Sequence, residues 1–211
     1  MRTPVAIRDE YLDSLAHIRV AYDKVCREVG RGHLFTFPDV HKLSEGLFIS
    51  ALTYWEAFCK DLITTDLATS TVGALCSEVK TFRTKNAPYR LAERILNHPD
   101  HPAKFVEWSS FQTFVDRANA HLGTGHRFAL PPATVQNLTK LKKIRNAIAH
   151  KSDKAWADFS AMIRAAPFNL TGPQCRGVTP GRFIYSTQWS GTTVMRHTLT
   201  TLENAANTLV P

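Results

Sequence analysis

Residues 145–150 read Arg-Asn-Ala-Ile-Ala-His, and they close a segment with helical periodicity. At 100° per residue, Asn146 and His150 stand four positions apart on one face, with Arg145 beside them. Imidazole exchanges protons near neutral pH, as general acid–base chemistry requires. The bland alternative is a histidine at the end of its helix that bonds the last carbonyls. Arg145 adds a second constraint. Ile144, Ile148, Leu141, Leu138 and Ala149 sweep out the apolar arc of this helix, and Arg145 falls inside it. A guanidinium does not lose its proton, and leaving it unpaired among apolar groups costs several kcal/mol. It therefore needs a carboxylate, a phosphate or a rim position that water reaches.

An earlier helix offers the carboxylate. Val40, Leu43, Leu47, Ala51, Tyr54, Phe58 and Leu62 form its apolar stripe. Glu56 lies at the edge of that arc, flanked by Leu52, Ile49, Cys59 and Ile63. Pairing of Glu56 with Arg145 is the simplest physical resolution. Glu45 falls in the same sector, roughly 16 Å away along the axis.

Charge concentrates around the same motif. Residues 140–154 carry Lys140, Lys142, Lys143, Arg145, Lys151 and Lys154 against Asp153 alone. Six positive charges against one account for five of the chain's net +8 at pH 7. Such a surplus suits a polyanion, either nucleic acid or an anionic membrane surface. No run of about 18 apolar residues exists, so the sequence offers no membrane span. The first residues, MRTPVAIRDEYLDSL, hold charges where a signal peptide needs an apolar core, which points to the cytosol.

The elements that must hold these groups are helical. Of 211 residues, 44% are hydrophobic and 21% charged, a globular balance that excludes wholesale disorder. Tyr11, Leu12, Leu15, Ile18, Tyr22, Val25 and Val29 mark a first helix, ended by Gly30-Arg31-Gly32. The second opens at Pro38-Asp39, with Asp39 as N-cap, and runs to about Leu67. Residues 69–87 are weakly patterned, and a short helix follows Pro88. Phe105, Trp108, Phe111, Phe114, Val115, Ala118 and Leu122 make the next amphipathic helix. The motif helix spans about Ala133 to Lys151. Ser152-Asp153 caps a helix through Trp156, Phe159, Met162 and Ile163. Residues 167–192 are irregular, with a short strand expected over Arg182–Trp189, and a last helix occupies about 193–209. The expectation is one all-α antiparallel bundle over 1–211, with its motif-bearing core at about 39–163.

Other chemistry finds less support. His98 and His101 are flanked by prolines, and no cysteine or acidic cluster completes a zinc set. Cys26, Cys59, Cys76 and Cys175 show no CxxC spacing, and Cys26 and Cys59 read as small buried hydrophobes. No nucleophile elbow accompanies the serines. Trp108, Phe111 and Phe114 read as core, whereas Tyr185 and Trp189 beside Arg182 are better candidates for base stacking.

The motif segment and the second helix together resemble the HEPN superfamily, small all-α bundles that include ribonucleases of toxin–antitoxin and anti-phage systems. Arg145 to His150 matches the R-x4-H form of its motif, with Asn146 as the favoured polar residue. The run Ser50–Phe58, containing Trp55-Glu56, resembles the corresponding helix of the RiboL-PSP-like branch. The resemblance covers about residues 39–163. It implies an endoribonuclease that needs no metal or cofactor, with attack by the ribose 2′-OH leaving a 2′,3′-cyclic phosphate. Arg145 would hold phosphate, His150 would be the acid or base, Asn146 would orient one of them, and Glu56 would fix Arg145. Lys140, Lys142, Lys143 and Lys151 would contact RNA. It also implies a cytoplasmic homodimer and an antitoxin or sensor protein as partner. The alternative is a non-catalytic HEPN module that binds RNA, nucleotide or a protein, which would have no need of His150.

Overall fold

Apolar residues at three- and four-residue spacing put most of the chain into helices. The computed structural model describes residues 2–69, 87–98, 106–150 and 152–211. Among them are nine helices: α1 (Pro4–Arg27), α2 (Phe37–Thr69), α3 (Ala87–Leu96), α4 (Phe111–His121), α5 (Pro132–His150), α6 (Asp153–Arg164), α7 (Gly172–Cys175), α8 (Pro180–Ser186) and α9 (Val194–Leu209). A two-stranded hairpin, β1 (Gln188–Trp189) and β2 (Thr192–Thr193), directly precedes α9. The fold is all-α with a short β segment before the last helix, as the sequence patterning anticipates.

The 33-residue α2 is the central element, about 50 Å long. It packs against α1, α3 and α8, and touches α4, α5 and α9. Phe48, Ala51, Leu52, Trp55, Phe58, Cys59, Leu62 and Ile63 are its buried face. From α1, Ile7, Tyr11, Leu15, Ile18 and Tyr22 pack into the same core, with Tyr11 stacked on Phe58 at 4.8 Å between ring centres. The stripe expected from the sequence is off by part of a turn. Leu43 and Tyr54 are exposed, because α1 and α8 cover a neighbouring sector of α2.

Local chemistry sets the helix ends. Thr3 caps α1, accepting the Ala6 N–H at 3.2 Å, and Ser152 caps α6 in the same way through Ala155. At the start of α2 the cap is Thr36 rather than Asp39. The Thr36 carbonyl accepts the Val40 N–H, and the Asp39 carboxylate reaches back to the Thr36 N–H at 2.9 Å. Ser152 falls where the sequence places it. The helix expected from Phe105 begins only at Phe111; Phe105 itself lies outside the described residues, as do 70–86. Trp108 sits in a turn, its indole N–H donating to Asn97 Oδ1 at 2.9 Å.

The segment 167–192 departs most from expectation. Arg182 to Ser186 is helical, and only Gln188–Trp189 is strand. Thr179 caps the short helix α8 through the Arg182 N–H, and Pro180 occupies its first turn, where no amide hydrogen is needed. Trp189 is buried between Phe168 and His197, 4.2 Å from the latter, so it is not a stacking platform. Burial also holds the His197 imidazole below its ordinary pKa.

Candidate active site

The C-terminal turns of α5 present the motif. Leu138, Leu141, Ile144 and Ala147 are its buried residues, which turns Arg145 and Asn146 to half-buried positions and His150 outward. The Arg145 Nη1 lies 3.1 Å from His150 Nε2 and 3.4 Å from Asn146 Oδ1. Arginine has only donors, so His150 Nε2 is the acceptor in that contact. Among the described residues, His150 makes no hydrogen bond to the carbonyls of its own helix. Its ring is committed to Arg145, not to capping. The three motif residues thus form one cluster on the exposed end of α5.

Beside this cluster lies a cavity of about 200 Å³ between three elements. Leu52, Trp55 and Glu56 line it from α2, and Ser109, Ser110, Phe111 and Gln112 from the start of α4. Val135, Leu138, Thr139, Lys142 and Arg145 complete it from α5. Glu56 and Arg145 therefore face one space. They do not form the direct ion pair anticipated from the helical wheels: no carboxylate lies within 4.0 Å of Arg145 among the described residues. The wheel fixed the azimuth of both side chains correctly and missed the gap between the helices. Arg145 resolves its burial by the rim position instead.

Glu56 is half-buried and has no hydrogen-bond partner among the described residues. Burial raises its pKa above the ordinary carboxylate value, while the positive charges of Arg145 and Lys142 oppose that rise. Glu107, in the segment before α4, is a further carboxylate of the site, one that the helical wheels do not find. It accepts from Lys142 Nζ at 2.7 Å and from the Ser109 hydroxyl at 2.7 Å. Those two bonds hold its pKa below the ordinary value. The sequence pattern places it inside the helix expected from Phe105, but its segment is not helical.

The remaining candidates divide. Lys140 and Lys143 are half-buried along α5 and make no ion pair among the described residues. Lys142 is held by Glu107, and Lys151 lies outside the described residues. Glu45 is not part of the cluster. It is buried against α8, where it accepts the Gly181 N–H at 3.0 Å and pairs with Lys42 at 2.8 Å. His101 and Cys76 fall outside the described residues. Among those described, no three of His, Cys, Asp and Glu gather as a metal site, and no helix is long and apolar enough to cross a membrane.

Comparison with known proteins adds no relative: no family model, no curated protein and no solved structure matches the chain. The functional reading therefore rests on the site itself.

Proposed function

We propose that the protein is a metal-independent endoribonuclease of the HEPN type, acting in the cytoplasm as a toxin or defence effector. The observation that carries this reading is the contact between Arg145 and His150, an arginine and an imidazole 3.1 Å apart on an exposed, basic helix end. A phosphate placed there would meet a fixed cation and a group able to move a proton.

In the proposed reaction the ribose 2′-oxygen attacks the adjacent phosphorus and loses its proton to a base. The bond from phosphorus to the 5′-oxygen breaks, and that oxygen leaves with a proton from an acid. The products are a 2′,3′-cyclic phosphate and a 5′-hydroxyl. Arg145 offsets charge on the phosphorane, and His150 performs one of the two proton transfers. Asn146 orients the guanidinium through its side-chain oxygen. A nucleophilic 2′-OH restricts the substrate to RNA.

One copy supplies one imidazole, whereas the reaction uses a base and an acid. A two-fold homodimer that faces the two α5 ends toward each other supplies both. The deciding experiment is digestion of RNA by purified protein in the presence of a chelator, with analysis of the new ends. Cyclic phosphate ends support the reading. Intact RNA with the protein bound would leave the non-catalytic binding module in its place.

A further inference from the structure

The motif cluster explains Arg145, Asn146 and His150, but leaves the neighbouring cavity without a task. Its volume of about 200 Å³ is below the range of roughly 300–1,000 Å³ that holds drug-sized ligands, so it suits one ring-sized group rather than a whole nucleotide. Its walls combine apolar side chains (Leu52, Trp55, Phe111, Leu138) with a carboxylate, Glu56, that has no hydrogen-bond partner among the described residues. A half-buried acceptor of this kind calls for a donor.

The charges around the cavity say what kind of donor. A cationic ligand would meet Arg145 and Lys142 on the α5 wall. An anion deep in the cavity would meet Glu56. The group that satisfies both is neutral, offers N–H donors to the carboxylate and is tethered to an anion at Arg145. A nucleobase on a phosphate-linked ribose has those properties. Among the four RNA bases only guanine presents two adjacent donors on its pairing edge, N1–H and the N2 amino group. Adenine and cytosine set an amino group beside an acceptor nitrogen, and uracil flanks its N3–H with two carbonyls. Each of those puts a lone pair against one carboxylate oxygen. Ser110 also lines the cavity, and its hydroxyl makes no capping bond to α4, so it can donate to the guanine acceptors.

We propose that this cavity is a guanine-recognition pocket, in which the Glu56 carboxylate accepts N1–H and the N2 amino group of a nucleotide flanking the phosphate held by Arg145. The proposal rests on the ribonuclease reading for its substrate, and it gives Glu56 a specificity role in place of the ion pair with Arg145.

The test is cleavage of an RNA with a randomised junction, with sequencing of the new ends. Guanine is expected on one side of the cut with about 5- to 100-fold preference, the range of a bidentate base contact. Inosine at that position, which lacks the N2 amino group, should lose much of the preference. Glu56→Gln, which presents one donor and one acceptor, should flatten it. Even cleavage at all four bases, or a guanine preference that survives both changes, overturns the pocket and leaves the ribonuclease reading intact. Absence of cleavage ends the ribonuclease reading instead. Calorimetry with the four nucleoside 5′-monophosphates then decides the pocket on its own. Selective binding of guanosine 5′-monophosphate, abolished in Glu56→Gln, upholds it, and equal or no binding overturns it. The inosine measurement uses only the natural protein, so it stands even where the variant fails to fold.

Discussion

The Glu45 carboxylate accepts the Gly181 N–H at 3.0 Å, which ties the start of α8 to the flank of α2. The approach is closer than any side chain allows. A Cβ built on Gly181 would lie 2.3 Å from the His41 carbonyl oxygen and 2.9 Å from Glu45 Oε1. Both the glycine and the acid are needed for this junction, since a helix start needs an acceptor and the backbones need room.

Gly181→Ala therefore forces α8 away from α2. The backbone oxygen cannot yield as a flexible side-chain end would. The expected loss is about 1–3 kcal/mol, typical of overpacking at a rigid contact. For a chain of this size each kcal/mol lowers the Tm by about 2–4 °C. Thermal unfolding of the variant beside wild type measures this, and an unchanged Tm would show that the junction adjusts at no cost.

Glu56 predicts a dependence of stability on pH. Its folded pKa lies above the ordinary value of 4.5 because of burial. The folded state thus holds the proton more strongly than the unfolded chain does. Ionisation of Glu56 opposes folding, with the cost absent below the unfolded pKa and complete above the folded one. Glu56→Gln removes the titration. The variant should melt above wild type at pH 7, and the difference should shrink as pH falls toward 4.5 and vanish below it. Melting curves across that range check the sign. A variant less stable at pH 7 would mean that Glu56 has a structural partner.

The arrangement of the lysines separates them in their expected pull on RNA under the proposed function. Lys142 is occupied by Glu107 at 2.7 Å, whereas Lys140 and Lys143 have no ion pair among the described residues. Removing one lysine that neutralises a phosphate of single-stranded RNA lowers the salt slope of binding by about 0.7. Lys140→Ala and Lys143→Ala should each approach that change, and Lys142→Ala should fall well short of it. Fluorescence anisotropy over a salt series reads all three. Equal changes at 142 and 143 would show that Glu107 releases its lysine when RNA binds.

Periodicity and spacing carry a good part of this molecule, and the failures have physical reasons. The motif cluster is legible because Arg145, Asn146 and His150 share one helix, where spacing alone fixes which side chains meet. Ser152 is legible because a cap is a local bond. The short helix α8 is not, although Thr179 and Pro180 mark its start locally, because seven residues hold too little period to read and Glu45 supports its first turn from 136 residues away in sequence. The stripe on α2 is misplaced at Leu43 and Tyr54 because the buried sector is chosen by α1 and α8, not by the helix itself. A wheel also reports direction without depth. It aims Glu56 and Arg145 into one space and cannot show the cavity that keeps them apart. Glu107, Ser109 and Ser110 stand in chain that the spacing from Phe105 to Leu122 assigns to a helix, whereas the helix begins only at Phe111.

The remaining prediction concerns His150. His150→Ala should lower RNA cleavage by about 10²–10⁴-fold, the usual contribution of a positioned acid or base. Binding and folding should change little. His150 is exposed at the end of α5, and its hydrogen bond is to Arg145 rather than to the helix carbonyls, so its removal takes no cap away. RNA attraction should come from Lys140, Lys143 and Arg145, whose charges the variant retains. An interaction made only as the proton moves lowers turnover without weakening the bound ground state. Arg145→Ala should differ in kind, losing affinity and cleavage together, because a cation on the phosphate acts before and during the reaction. Mixing the two inactive variants adds a check on the homodimer. If each site combines groups from both copies, a mixed dimer of His150→Ala and Arg145→Ala subunits should keep one arginine and one histidine and recover part of the activity. Cleavage rate, RNA affinity and Tm measured on the same preparations separate the roles. Full cleavage by His150→Ala would remove the histidine from the mechanism and with it the reason to read this helix end as a nuclease.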